Sequence, residues 1–268
     1  MNTENDIGNN GEDDKGFHVV IPARYASTRF PGKPLHSILG KPMILHVIER
    51  AKESDALSVV VATDDERIAS VCTDAGVEVV MTKAAHPSGT DRIAEVALKK
   101  DWPMDARIVG LQGDEPAMPS EHINQLATNL LQHPNAAMAT LCFPVQSMED
   151  WQNPDRVKVV RNQQGMALYF SRAPIPFLRD STDKITSASL TQVFIHIGIY
   201  AYRAAFLKEY ANLPTSKLET MEQLEQLRVL DAGFQIHADH VSEAVAHGVD
   251  RLEDVASMEQ ILKAQAQR

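Results

Sequence analysis

Val19-Val20-Ile21-Pro22-Ala23-Arg24-Tyr25-Ala26-Ser27-Thr28-Arg29-Phe30-Pro31-Gly32-Lys33-Pro34-Leu35 decides the fold. The apolar run from Phe17 to Ile21 reads as a buried strand that stops at Pro22. The next dozen residues hold three cations, two aliphatic hydroxyls, two further prolines and a glycine. A strand that empties into a cationic loop is where an open α/β sheet binds its ligand. Arg24, Arg29 and Lys33 can face the charges of a polyphosphate, and Gly32 lets the backbone come close. The other reading is a solvated basic loop. Against it stands the balance of the chain, 36 acidic residues to 26 basic ones and a net charge of −10. The loop has neither the Gly-Lys-Ser/Thr of a P-loop nor the Gly-x-Gly-x-x-Gly of a dinucleotide site.

Outward from this stretch, strands alternate with helices. Helices are expected over Pro42–Lys52, Thr90–Lys100 and Glu121–Gln132. Apolar strands are expected over Leu57–Ala62, Val77–Met81, Arg107–Leu111 and Ala137–Cys142. Thr63-Asp64-Asp65-Glu66 ends one strand and caps the next helix. This alternation predicts an α/β fold, a mainly parallel sheet covered by helices on both faces. Past Phe143 the rhythm changes. Short strands are expected at Val157–Val160 and Ala167–Phe170, a polar loop at Asp180–Ser189, and a strand at Val193–Tyr202. Helices at Ala204–Ala211, Leu218–Leu230 and Leu252–Ala266 and a strand at Gln235–Ala238 complete the chain. Residues 1–16 are polar and read as a disordered leader. Residues 17–268 read as one domain, with 143–215 inserted and returning to the same sheet.

At 268 residues with 44% hydrophobic content the chain can bury a substantial core. It holds no apolar run of membrane-spanning length. Cys72 and Cys142 sit in apolar contexts and fit two buried thiols in a reducing compartment. The acidic balance argues against nonspecific nucleic-acid binding.

Several polar residues stand where chemistry is expected. Gln112-Gly113-Asp114-Glu115-Pro116 follows a strand directly, so Asp114 either helps hold a magnesium ion with nucleotide phosphates or caps the following turn. Asp250, before the last helix, is either a second carboxylate for that metal or a helix cap. In His86-Pro87-Ser88-Gly89-Thr90-Asp91-Arg92, small residues free backbone groups to meet a planar base. Arg92 lies in a helix's first turn, unfavourable for a cation, and so answers to a ligand or to a neighbouring acid. Arg172 follows a strand and can offer a bidentate fork to a carboxylate. His196 and Tyr200 share a strand face and can meet a polyol, or His196 is a satisfied core residue. In Leu218–Leu230 the leucines and Met221 make the buried stripe, and Glu225 and Gln226 are available to sugar hydroxyls.

These segments carry a family resemblance. PARYASTRFPGKPL, at residues 22–35, is similar to the signature of cytidylyltransferases that activate acidic sugars. VATDDERI, HPSGTDR, QGDEP, ALYFSRAPIP, HIGIYAYR, LEQLRVL and GVD, in this order, resemble the branch that acts on 3-deoxy-manno-octulosonate (KDO). The resemblance runs from about Val19 to about Val255. It implies a Rossmann-like nucleotidyltransferase fold, a cytoplasmic homodimer whose inserted region serves dimerisation and sugar binding, and magnesium. The implied reaction joins CTP and KDO to give CMP-KDO and pyrophosphate, for lipopolysaccharide synthesis. By resemblance Arg24, Ser27, Arg29 and Lys33 hold the triphosphate, and Ser88, Gly89 and Arg92 frame the cytosine. Asp114 and Asp250 bind magnesium, and Gln112, Arg172, His196, Tyr200, Glu225 and Gln226 line the sugar site. The chain departs from the family pattern at Ile195, where a basic residue is usual, at Val241–His247, and at Arg251–Asp254. The alternatives are a different acidic sugar, such as 8-amino-KDO or a sialic acid, and a catalytically silent nucleotide binder on the same fold.

Overall fold

A computed structural model of the chain describes residues 16–27, 29–177, 179, 193–242 and 245–267. The expected leader, apart from Gly16, and the expected loop at Asp180–Ser189 lie outside these residues. In chain order the first half comprises β1 (Phe17–Ala23), a 3-10 turn (Lys33–Leu35), a small hairpin of β2 (Ser37–Ile38) and β3 (Lys41–Pro42), and α1 (Met43–Lys52). β4 (Ser58–Thr63), α2 (Glu66–Asp74), β5 (Glu78–Met81), α3 (Gly89–Lys100), β6 (Arg107–Gly110), α4 (Ser120–Gln132) and β7 (Met138–Pro144) follow. The second half comprises α5 (Met148–Gln152), β8 (Lys158–Arg161), β9 (Ala167–Ser171), β10 (Phe194–Arg203), α6 (Ala204–Tyr210), α7 (Lys217–Glu222), α8 (Gln226–Asp231), β11 (Ile236–His240) and α9 (Asp254–Gln265).

One nine-stranded sheet organises these elements, with the main order β11-β7-β10-β6-β1-β4-β5 and the β8–β9 hairpin attached to β10. β1 lies parallel between β4 and β6, and the β4–β5 and β7–β11 pairs are also parallel. β10 alone on the main path runs antiparallel to its neighbours, between β6 and β7. The sheet is therefore mainly parallel, as the alternation of strands and helices predicts.

Consecutive residues of β1 feed opposite cores. Val19 and Ile21 pack with Ile44 and Val47 of α1, Ile68 of α2 and Ile123 of α4. Val20 packs on the other face with Ile93 and Val96 of α3, Phe206 of α6 and Leu227 of α8. A strand buried on both faces needs apolar residues at every position, which is why Phe17–Ile21 shows no alternation. The strand also runs two residues further than expected, with Pro22 and Ala23 in register with Ala62 and Thr63. Proline gives up only a donor there; its carbonyl accepts from the Gly113 amide at 3.3 Å.

Two expectations fail in the second half. Leu218–Leu230 is not one helix: Gln223, at φ 55°, ends α7, and α8 starts at Gln226. A capping box of Ser216 and Glu219 starts α7. The break turns Glu225 towards Thr90 at the start of α3 and Gln226 towards Tyr200 of β10. Met221 leaves the buried stripe and is 79% exposed, while Leu224 and Leu227 are buried. The short helix α5, seeded by Ser147 accepting from the Asp150 amide, was not expected.

No described helix is long and apolar enough to cross a membrane. Cys72 and Cys142 are free and buried, and burial pushes their thiols up to about 11 and about 12.

Candidate active site

The site lies where β1 and β6 end side by side. Gly113 makes this closeness possible. A Cβ on it would stand 2.9 Å from the Pro22 carbonyl oxygen. Gly32 serves the cationic loop differently, at φ 72° with its amide on the Tyr25 carbonyl at 2.9 Å. The turn after it points Lys33 inward. Lys33 Nζ stands 2.5 Å from Asp114 Oδ2 and 3.5 Å from Asp250 Oδ1. Arg29 reaches the same Asp250 from the solvent side, at 3.3 Å. The backbone holds the two carboxylates together, because the Val249 amide donates to the Asp114 carbonyl at 2.9 Å.

This geometry bears on the capping reading of Asp250. Asp250 does not cap the last helix. Asp254 accepts from the Asp250 and Arg251 amides instead, which leaves the Asp250 carboxylate to the site. Asp114 likewise spends its side chain on Lys33.

One cleft gathers most of the expected residues. Arg24, Ser27, Arg29 and Lys33 line it from the loop, and Ser88, Gly89 and Arg92 from the start of α3. Gln112, Asp114 and Asp250 close it. Ser88 is the N-cap of α3, accepting from the Asp91 amide at 3.1 Å. Arg92 is buried at 3% exposure; its guanidinium stands 2.9 Å from Asp64 Oδ1 and donates to the Thr82 hydroxyl. The neighbouring-acid reading of Arg92 therefore holds, with Asp64 the acid that the sequence did not reveal. Arg92 contributes a fixed, paired wall.

A second cavity opens on the far side of Asp250, which lines both. His196, Tyr200 and Gln226 line it, with the rings of His196 and Tyr200 5.4 Å apart. Between them β10 bulges after Ile197. The Tyr200 hydroxyl donates to Gln226 Oε1 at 3.0 Å, while Gln226 Nε2 has no partner among the described residues. Burial pushes the half-buried His196 imidazole down to about 3, so it is neutral, and its Nε2 is 3.0 Å from the Thr140 hydroxyl. Gln112, Tyr200 and Glu225 border a third opening that joins the first two. Glu225 accepts from the Thr90 hydroxyl at 3.0 Å, and burial raises its pKa.

Arg172 is not brought together with the other expected residues. It lines none of these cavities. Its Nε donates to the Glu222 carbonyl at 2.8 Å and its Nη1 to the Pro154 carbonyl at 3.0 Å. It follows β9 directly and packs against the end of α7.

Glu115, Arg156 and His247 line the second cavity without having been singled out. Burial, then the nearby Asp114 and Asp250 charges, push Glu115 well above the usual carboxylate range. Its place beside Asp114 in Gln112–Pro116 was the available signal. Arg156 is a lone cation between a proline and a short strand, and no periodicity marks it.

A mainly parallel sheet with a cationic loop after its first strand and carboxylates at the strand ends defines a nucleotide-binding α/β fold of the nucleotidyltransferase class. 4-Diphosphocytidyl-2C-methyl-D-erythritol synthase shares this fold, with a TM-score of 0.60 at 16% identity over 92% of this chain and 98% of that one. The chain belongs to the cytidylyltransferase family, whose pattern it matches over residues 18–236. It is 51% identical over 248 residues to the 3-deoxy-manno-octulosonate cytidylyltransferase of Thioalkalivibrio sulfidiphilus, covering 92% of this chain and 99% of that protein. The enzyme of the same name from Nitrosococcus oceani is 48% identical over 252 residues, 93% and 97% of the two chains. Among solved structures, CMP:2-keto-3-deoxy-manno-octonic acid synthetase complexed with CTP superposes with a TM-score of 0.85 at 40% identity, covering 93% of this chain and 99% of that one.

Proposed function

We propose that the protein transfers CMP from CTP to KDO, giving CMP-KDO and pyrophosphate. The observation that carries this reading is the position of Asp250, in the wall between a cationic cleft and a second cavity that presents His196, Tyr200 and Gln226 among apolar side chains, with Asp114 and Lys33 beside it. CTP fits the first space by charge. The loop cations meet the phosphates, and Ser88 and Gly89 offer small, backbone-rich surface to the base. The sugar fits the second, where Tyr200 and Gln226, whose buried Nε2 has no partner among the described residues, are the groups for a polyol. The two similar enzymes named for KDO support the choice of sugar.

In this reading the anomeric hydroxyl oxygen of KDO bonds to the α-phosphorus. The bond from that phosphorus to the bridging oxygen breaks, pyrophosphate leaves with the electron pair, and the hydroxyl proton is released. The chain contributes position and charge. Arg29 and Lys33 bind the departing pyrophosphate, and Asp250 holds the boundary where the reacting atoms meet.

Magnesium fits the donor set. The Lys33 ammonium stands between two carboxylates, so this point already favours a cation. Among the described residues no cluster of three or more His, Cys, Asp or Glu forms a closed metal cage. An open pair of carboxylates completed by substrate oxygens and water suits magnesium, and Asp114 and Asp250 are the residues that would hold it. The ion would supply neutralisation of phosphate charge.

The reading extends to a cytoplasmic homodimer. The two free buried thiols support a reducing compartment, and exposed Leu168 and Phe177 support an interface on the inserted region. The experiment that tests the function is pyrophosphate release from CTP and magnesium with KDO, 8-amino-KDO or a sialic acid in parallel. Release that requires KDO is expected. Release only with another sugar overturns the substrate, and CTP binding without release overturns the reaction.

A further inference from the structure

We propose that Arg156 recognises the carboxylate of the acidic sugar and thereby sets the specificity of the second cavity. The inference rests on the reading that this cavity takes the sugar. Its wall contains the acids Glu115, Asp155 and Asp250. Arg156 is the only lysine or arginine among the described residues that line it. His196 cannot supply the missing charge, because burial keeps it neutral. An anionic ligand entering this space therefore has one guanidinium and no ammonium to meet among the described lining residues, and an arginine fork matches a carboxylate with two parallel bonds.

The loop that carries Arg156 is fastened on both sides. Buried Lys158 donates to the Asn153 carbonyl at 2.8 Å and to the Arg172 carbonyl at 2.7 Å. Arg172 donates to the Pro154 carbonyl at 3.0 Å. After Arg156, the Val157 carbonyl accepts from the His196 amide at 2.8 Å, which ties the loop to the strand lining the cavity. Arg172 is thus a positioning residue, spent on the backbone that presents Arg156. Arg156 itself is free to act. Its only side-chain partner among the described residues is Asp150, whose Oδ1 is 3.6 Å from Nε, and its side chain is 34% exposed. A fork held this loosely keeps its donors for a ligand.

The test compares wild type, Arg156→Ala and Arg156→Lys in steady-state pyrophosphate release with saturating CTP and magnesium. KDO and its carboxamide, which lacks the negative charge, are the varied substrates. For Arg156→Ala the KM for KDO rises about 10- to 100-fold, while the KM for CTP stays within about twofold. The preference for KDO over the carboxamide, present in wild type, disappears in Arg156→Ala and returns in part in Arg156→Lys. An unchanged KM for KDO, or a preference that survives Arg156→Ala, overturns the proposal. A wild-type enzyme inactive with KDO overturns the functional reading instead. The carboxylate role is then read on whichever acidic sugar is accepted, and falls if none is.

Discussion

Lys33 Nζ stands 2.5 Å from Asp114 Oδ2, although 81 positions separate the two residues. The contact joins the loop after the first strand to the turn after β6, so each side chain is held by the other. Asp114→Asn keeps the shape and removes the charge. Turnover is expected to fall about 100- to 1,000-fold, the size of effect seen when one preorganised charge contact is lost. CTP binding is expected to stay within a few-fold, because Arg24, Arg29 and Lys33 remain in the cleft. Single-turnover pyrophosphate release and CTP titration by calorimetry check the two halves separately, and retained turnover sinks the role given to Asp114.

Gln226 is buried with its Nε2 unpartnered among the described residues, in the wall of the second cavity. A buried amide without a partner costs stability unless something arrives to accept from it. Gln226→Ala is expected to raise the KM for the sugar about 3- to 10-fold, the value of one neutral hydrogen bond or slightly more. The KM for CTP should not move. Tyr200→Phe, which frees Gln226 Oε1, should shift the same constant by less.

His196 makes stability depend on pH. Its imidazole is held down to about 3 in the fold, against about 6.5 in the unfolded chain. Above pH 6.5 neither state takes the proton; below it the unfolded chain does and the folded one does not. Stability is therefore full above about pH 6.5 and falls as pH drops towards 3. His237, held down to about 4 chiefly by burial, acts in the same direction. His196→Gln is expected to flatten the profile by on the order of 1–2 kcal/mol between pH 6.5 and 5. Urea unfolding at a series of pH values gives the slope, and an unchanged slope assigns the effect elsewhere.

How far the sequence could be read follows from what each residue answers to. β1 was legible because a strand buried on both faces must be apolar throughout, and the cationic loop because three cations in ten residues need a reason. For Asp250 the residues left two readings open, a carboxylate beside Asp114 or a helix cap, and only the resemblance chose the first. The backbone contact between the two segments spans more than half of the chain, and no spacing encodes it. The break at Gln223 was not legible, since the leucine spacing fits an unbroken helix and the left-handed residue is an ordinary glutamine. Arg156 and Arg172 show the same limit. Both are single arginines in short loops, and only the third dimension shows which one faces the cavity and which one faces Pro154 and Glu222.

Lys158 is fully buried, and burial lowers its pKa. Its ammonium serves two backbone carbonyls, those of Asn153 and Arg172. Lys158→Met keeps the length of the side chain but leaves both acceptors without their donor. A loss of about 2–4 kcal/mol in unfolding free energy is expected, from two charge-assisted bonds. The sugar KM should rise as well, because the loop bearing Arg156 loses a fastening. A variant that loses stability while keeping its KM would show that Arg172 and the bond from the His196 amide to the Val157 carbonyl hold the loop without Lys158.

Gly113 separates a steric requirement from a conformational one. Its φ is not in the left-handed region, so alanine meets no backbone strain there. The obstacle is space: a Cβ would lie 2.9 Å from the Pro22 carbonyl oxygen, 3.4 Å from Ala23 Cβ and 3.5 Å from Ile44 Cδ1. Pro22 is fixed in β1, with strands on either side, so the turn carrying Gly113 must give way. Gly113→Ala is expected to cost about 1–3 kcal/mol of stability, the range for overpacking a close contact. The displaced turn also carries Asp114 away from Lys33, and misplacement by a fraction of an ångström to one ångström is expected to lower turnover about 10- to 100-fold. Thermal unfolding and pyrophosphate release measured on the same preparation distinguish the effects. Loss of both fits a turn pushed off β1, whereas full activity in a destabilised variant would show that the strand yields instead.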